Sequence, residues 1–337
     1  MIKKTFLMLV TYFFFASNSW SMIEIDITEG NREPLPLAIT EFFFNDDEKD
    51  VLAEISTNMR NVMSADLERS GLFKSINKEA FIQENESMHL RPRFEDWRLI
   101  KAQGLITGDL SLEGEKLKVE FRLWDTLAEK EIEALVLITT KENWRRVSHM
   151  IADKIYERLT GEEGYFDTRI VYVSEEGPKN KRVKKLAIMD QDSFNHRFLT
   201  SGKELVLTPR FNPVRQEITY LSYFKNLPRV YLLDIQTGIQ EVVGDFPGMT
   251  FAPRFSPGGK KIIMSLAREG NSDIYVMDLV TRIVERLTDN PAIDTSPSYS
   301  PDGQRITFNS DRGGSQQIYV MDSNGRNQKR ISKGTGN

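Results

Sequence analysis

The chain contains no cysteine. A disulfide framework, a thiolate metal site and a cysteine nucleophile are therefore excluded, and stability has to come from packed cores. Histidine is scarce: His89, His149 and His196 stand in different regions without metal-ligand spacing. A G-x-S-x-G nucleophile elbow, a phosphate-cradling glycine loop and a dinucleotide fingerprint are all missing. So is an excess of positive charge. With 45 Lys and Arg against 49 Asp and Glu, the formal net charge is −4, which leaves no electrostatic footprint for nucleic acid. These absences exclude the commonest catalytic and nucleotide-binding classes and favour a binding scaffold without catalytic residues, metal or cofactor. The 337 residues, 39% of them hydrophobic and 28% charged, leave room for two soluble globular domains.

The first 21 residues are of a different kind. Lys3 and Lys4 precede an apolar run, Thr5 to Ala16, that is short of the about 20 residues a spanning helix needs. Ser19 and Ser21 then occupy the −3 and −1 positions of a cleavage site. Charge, apolar run and small residues in that order predict a signal peptide over 1–21 and an exported chain that starts near Met22. No cysteine follows the cleavage point, so a lipoprotein is not expected, and no later stretch is apolar enough to span a membrane.

The second half repeats. RFNP, RFSP and SYSP end at Pro213, Pro257 and Pro301, each 44 residues after the last. Apolar runs follow from Ile218, Ile262 and Ile306 at the same spacing, then YLLD, YVMD and YVMD ending at Asp234, Asp278 and Asp322. LAIMD ends one period earlier at Asp190, behind RIVYVS from Arg169. Each unit closes on a further short strand (IQEVV, IVERLT, QKRIS). Thr237-Gly238, Asp302-Gly303 and Asn324-Gly325 supply turns, the last of a type that accepts positive φ at both central residues. Short strands separated by turns, at a period of 40–50 residues, predict β-propeller blades. The repeated aspartates read as turn caps rather than metal ligands, and Phe211, Phe255 and Tyr299 as packing between blades. Fewer than four complete units fit before the chain ends in KGTGN. Since a propeller closes to cover its edge strands, either a partner completes this one or the chain is a C-terminally truncated copy, and truncation is the favoured expectation.

Residues 34–164 carry no such repeat and predict a small α/β domain. Glu48–Ser70 reads as an amphipathic helix with Leu52, Ile55, Met59, Val62, Met63 and Leu67 on one face. The acidic run Asp46–Glu48 opens it, as the helix dipole favours, and Gly71 stops it. Leu105–Leu112 and Leu117–Trp124 read as a hairpin around Glu113-Gly114, Glu131–Thr140 as a third strand, and Asn143–Leu159 as a second helix with Val147, Met150, Ile151, Ile155 and Leu159 inward. Gly161–Gly164 reads as a hinge into the propeller. Ahead of the domain, Met22–Thr28 (MIEIDIT) alternates; pattern alone makes it either the first strand of the domain or a tail that adds to a partner's sheet edge.

Taken together, IDIT at Ile25–Thr28, PLPLAI at Pro34–Ile39, KIYERLTGEEGYFDTRIVYV at Lys154–Val173 and the S-P-D-G and IYVMD blades resemble the TolB family over essentially the whole chain. The segment across the domain junction is the most specific. The resemblance implies an α+β chain: the small N-terminal domain, then an incomplete β-propeller over 165–337, with about four of six expected blades present and roughly 100 residues absent. It implies a non-enzymatic periplasmic scaffold of the Tol–Pal system, serving outer-membrane integrity and constriction at cell division. Two partners follow from it. TolA would take the segment 22–33, through Met22, Ile23, Glu24, Ile25, Asp26, Ile27 and Thr28. A Pal-like lipoprotein, which would make the chain peripheral to the outer membrane, would take propeller loops carrying Met249, Ala252, Thr295 and Ser296. Met249 falls where the family often has histidine. The other readings are an accessory propeller of a serine peptidase, which would need a Ser–His–Asp hydrolase domain that this chain lacks, and a ligand-binding propeller.

Overall fold

The computed structural model describes residues 23, 33–83, 91–224, 227–243 and 248–334. The signal-peptide region, Met22 and residues 24–32 lie outside them. The chain divides into two compact units, Met1–Asp167 and Thr168–Asn337.

The first unit is a mixed five-stranded sheet with helices on it. Its strands are β1 (Leu35–Ile39), β2 (Phe73–Ser75), β3 (Gly104–Glu113), β4 (Lys116–Asp125) and β5 (Lys130–Thr140), in the order β2-β1-β3-β4-β5. β1 runs parallel to both neighbours, and β3, β4 and β5 form an antiparallel meander. The strict alternation of LKVEFRLW sends Leu117, Val119, Phe121 and Leu123 to one face. There they meet Leu52, Met59, Met63 and Leu67 of α1 (Lys49–Arg69) and Val147, Ile151, Ile155 and Leu159 of α3 (Trp144–Thr160). Full burial of such side chains stabilises by about 1.5–3 kcal/mol each. Ile55 and Met150, predicted inward, are only half-buried at the rim of this face. Gly108 of β3 sits under it: a Cβ there would lie 2.6 Å from the Phe42 ring and 2.4 Å from the Glu120 carbonyl, so only glycine allows the close approach.

β1 and α2 (Phe94–Leu99) were not predicted from pattern. β1 is covered on both faces, Leu37 and Ile39 by the helices and Ala38 by Trp97 of α2, Ala102 and Leu105. A strand buried on both sides loses the alternation that marks a strand in sequence.

The predicted hinge is folded onto α3. Gly161 caps the helix at φ 75°. The chain then turns back so that Asp153 accepts hydrogen bonds from the backbone N–H of Phe166 (2.6 Å) and Asp167 (2.9 Å). Tyr156 packs edge-on against Tyr165 and Phe166, with centroids 5.6 and 5.7 Å away. Burial raises the Asp153 carboxyl above the usual range, against the pull of those two N–H groups. These contacts carry the first unit on to Asp167, rather than ending it at 164.

The second unit holds four sheets. Blade 1 has three strands, β6 (Arg169–Glu176), β7 (Val183–Asp190) and β8 (Arg197–Phe198). Blade 2 has β9 (Val206–Phe211), β10 (Glu217–Phe224), β11 (Leu227–Asp234) and β12 (Gln240–Val242). Blade 3 has β13 (Met249–Phe255), β14 (Lys261–Arg268), β15 (Asn271–Asp278) and β16 (Val284–Arg286). Blade 4 has β17 (Asp294–Tyr299), β18 (Arg305–Ser310), β19 (Gln317–Asp322) and β20 (Lys329–Arg330). Apolar clusters lie between successive blades, and Phe211, Phe255 and Tyr299 each pack against one of them. Asp234 and Asp278 cap their turns, each accepting from two backbone N–H groups at 2.8–2.9 Å. At Asn324-Gly325 only the glycine has positive φ, at 85°; the second left-handed residue is Asn327.

Candidate functional site

The sequence pattern accounts for three strands per blade, whereas blades 2 to 4 have four. The additional strands, β9, β13 and β17, are the first of their blades and neighbour one another in turn. Met249, Ala252, Thr295 and Ser296, expected on loops, therefore lie on these strands. Pairing explains it: Met249 faces Ala267 and Thr295 faces Asn309 across the ladder.

All three first strands are built alike. Each begins at an exposed aliphatic side chain: Leu205 just before β9, Met249 at the start of β13 and Ile293 just before β17, at 41%, 47% and 42% exposure. The three are one 44-residue period apart. Val206 pairs with Ser222, Met249 with Ala267 and Asp294 with Ser310, so all three sit at the end of their sheets beside the β10–β11, β14–β15 and β18–β19 connections. Such a recurring apolar rim at one end of a propeller is a surface suited to a partner rather than to water.

Three residues further on, Thr208, Ala252 and Ser296 have left-handed backbones at φ 48°, 51° and 54°. Each precedes a buried proline, Pro209, Pro253 or Pro297, and each lies where the ladder slips register. Proline has no N–H to give, so the slip orphans no donor there. The left-handed conformation costs a non-glycine residue about 1–2 kcal/mol, and its repetition in three blades requires a surrounding structure that holds it. Around Ala252 and Ser296, bonds between blades do so. The Ser296 N–H donates to the buried Ser265 hydroxyl (3.1 Å), the Ser272 hydroxyl to the Asp294 carbonyl (3.0 Å), and the Val230 N–H to the Thr250 hydroxyl (3.2 Å).

Met249 and Ile293 share a pocket of about 710 Å³ with Phe251, Ala267, Arg268 and Asn271. Its floor is apolar and its rim carries the Arg268–Glu269 ion pair. The arrangement holds no nucleophile–base pair; its chemistry is that of burying an apolar side chain beside charged neighbours. The histidines stand elsewhere. His149 is buried with its Nδ1 2.5 Å from Asp66 Oδ2, His196 lies among the rings of Tyr172 and Phe198, and His89 falls outside the described residues.

Of the seven residues expected to meet TolA, only Ile23 is described; Met22, Glu24, Ile25, Asp26, Ile27 and Thr28 are not. Ile23 is buried in the core of the first unit, and its N–H donates to Asp125 Oδ2 at 3.0 Å. The Asp125 carboxylate is wholly buried and also accepts from the N–H groups of Leu127 and Ala128 (2.9 and 2.8 Å).

Comparison with known proteins bears directly on this architecture. The TolB beta propeller domain matches residues 156–337, and the TolB amino-terminal domain matches residues 23–132. The chain belongs to the TolB family. It is 62% identical over 240 residues to the Tol-Pal system protein TolB of Pelagibacter ubique (strain HTCC1062), an alignment covering 69% of this chain and 54% of that protein. The chain thus spans about half the length of that relative. Among solved structures, TolB from Acinetobacter baumannii superposes with a TM-score of 0.77 at 31% identity, over 90% of this chain and 72% of that one. The family placement agrees with the α+β fold and the four sheets of propeller type.

Leu205, Ile293 and Thr208, which did not stand out in the sequence beside Met249, Ala252 and Ser296, follow the same period. Leu205, Met249 and Ile293 recur every 44 residues, as do the residue pairs Thr208-Pro209, Ala252-Pro253 and Ser296-Pro297. The prolines disguised the strand, because a proline inside a run argues against a paired strand.

Proposed function

We propose that the chain is a non-enzymatic periplasmic scaffold of the Tol–Pal system. In this reading it binds a Pal-like lipoprotein at the propeller end carrying Leu205, Met249 and Ile293, and TolA through the segment 22–33. Through the two it would serve outer-membrane integrity and constriction during division. The observation that carries the reading is the apolar rim repeated in three successive blades, set on strained first strands that also hold Ala252, Thr295 and Ser296. Met249 stands in this rim as an apolar contact in place of a polar one. The bond from Ile23 to Asp125 supports a docked state of the N-terminal segment, which lets occupancy of one site alter the other.

The test is titration of the mature protein with the soluble domain of a Pal-like lipoprotein, for the parent and for Met249→Glu and Ile293→Glu. A charge buried on binding is expected to weaken affinity at least about tenfold without changing the unfolding temperature, since both side chains are exposed when free. Removal of residues 22–33 should abolish TolA binding and leave Pal binding measurable. Unchanged Pal affinity in both charge variants would refute the placement of the site.

A further inference from the structure

The sheets of this protein keep their outer edge strands short, with one exception. β8, β12, β16 and β20 of the blades have two or three residues each, and β2, at one edge of the first sheet, has three. Short edges give a foreign strand little to pair with. β5, at the other edge of the first sheet, has 11 residues. Its opening part is protected by Glu131 and Glu133, by a register slip beside Trp124, and by Arg158, whose Nε donates to the Ile132 carbonyl at 2.9 Å. Ala134–Thr140 (ALVLITT) has no charge, proline, glycine or slip. Its backbone pairs with β4 on one side. From the other side, no hydrogen bond of any described residue reaches the backbone of Ala134–Ile138.

The side chains of this stretch agree with its backbone. Leu135 and Leu137 pack against the core under the helices, while Val136 and Ile138 on the opposite face are 53% and 54% exposed, with Ala134 and Thr140 exposed beside them. An unpaired apolar edge of this length suits a strand better than water. The charges indicate which strand. Lys130-Glu131 opens β5, and Lys141-Glu142 follows it. Two copies of β5 laid antiparallel about an axis at Val136 set Lys130 opposite Glu142, Glu131 opposite Lys141, Glu133 opposite Thr139 and Ala134 opposite Ile138, so that no like charges meet. Lys130, Lys141 and Glu142 form no ion pair with any described residue, and Glu131 reaches Arg122 at 3.4 Å. A charge pattern that complements itself on reversal is what a two-fold interface between identical chains requires.

We propose that β5 is the contact of a two-fold dimer of this chain, in which two first-unit sheets join edge to edge into one continuous sheet. Backbone pairing satisfies the open side of Ala134–Ile138, and Val136 and Ile138 of both copies cover one another across the axis. The Lys–Glu pairs at the two ends fix the register, since a slip by one residue would bring unlike faces together and part the charges. A contact of one strand and its flanking charges is small beside a standard interface, so the dimer forms reversibly.

Sedimentation equilibrium of the mature protein across a roughly hundredfold range of concentration tests this. The weight-average mass should rise with concentration towards that of two chains, and amide hydrogen exchange at Ala134–Ile138 should slow in step. Val136→Lys, which sets two lysines against each other at the axis, should weaken association at least about tenfold. It should leave the unfolding temperature at low concentration unchanged, because the side chain is exposed. Lys141→Glu should weaken association about threefold or more, and adding Glu131→Lys to it should restore the parent's value, a recovery that this register alone produces. A parent that stays monomeric at every concentration, which would leave the edge to a different protein, overturns the proposal. So does a dimer that Val136→Lys leaves intact, or a double variant that recovers nothing.

Discussion

Ala252 offers a substitution whose sign depends on the local backbone. At an ordinary strand position, Ala→Gly destabilises by about 0.5–1 kcal/mol, because glycine has more freedom to lose on folding. Ala252 sits at φ 51°, where a Cβ costs about 1–2 kcal/mol that glycine does not incur. The two effects oppose each other, and the larger wins: Ala252→Gly should be neutral or stabilising by about 0.5–1 kcal/mol. Ala252→Val should move the other way, losing about 1 kcal/mol or more, since a β-branched residue tolerates positive φ worst. For a unit of this size, about 1 kcal/mol corresponds to about 2–4 °C in Tm. Scanning calorimetry on the two variants, following the propeller transition, therefore separates them by several degrees in opposite directions. A Gly variant that loses about 1 kcal/mol would show that the first strand runs regularly through Ala252 and that the strained turn of chain does not exist.

Two further outcomes are expected. Arg312→Met leaves the buried Asp294 carboxylate without its partner and should cost about 3 kcal/mol or more in denaturant unfolding, most of it restored by adding Asp294→Asn; a loss below about 1 kcal/mol would mean the pair is not desolvated. The Asp234 and Asp278 carboxyls are held below the usual value of 3.8, chiefly by the backbone N–H groups of Thr237 and Thr281. A depressed folded value means the turns are favoured above 3.8 and lose that contribution as pH falls through the lower folded value. The Thr237 and Thr281 amide signals should thus titrate with midpoints below 3.8, and Asp278→Asn should flatten the Thr281 curve; midpoints at or above 3.8 would refute the capping.

The 44-residue period was enough to place strands β10, β11, β14, β15, β18 and β19, because each half-buried strand returns the same residues at the same spacing. The amphipathic faces of α1 and α3 and the alternation of β4 were equally plain, since one side of each meets the core and the other meets water. β1 was hidden by burial on both faces, and α2, at six residues, is too short to display a helical period. The strands β9, β13 and β17 were hidden by the prolines at their register slips, and with them went the strand setting of Met249, Ala252, Thr295 and Ser296.

What the sequence determined by itself was therefore local and periodic: which stretches are strands or helices, that they repeat, and that no disulfide can hold them, since there is no cysteine. Tertiary structure alone decided what the repeats bring together. Leu205, Met249 and Ile293 become one rim only when three blades stack side by side, and Ile23 meets Asp125 across a hundred residues of chain. Each of these depends on residues distant in sequence reaching a few ångströms of one another, and that distance is set by packing, which no local pattern encodes.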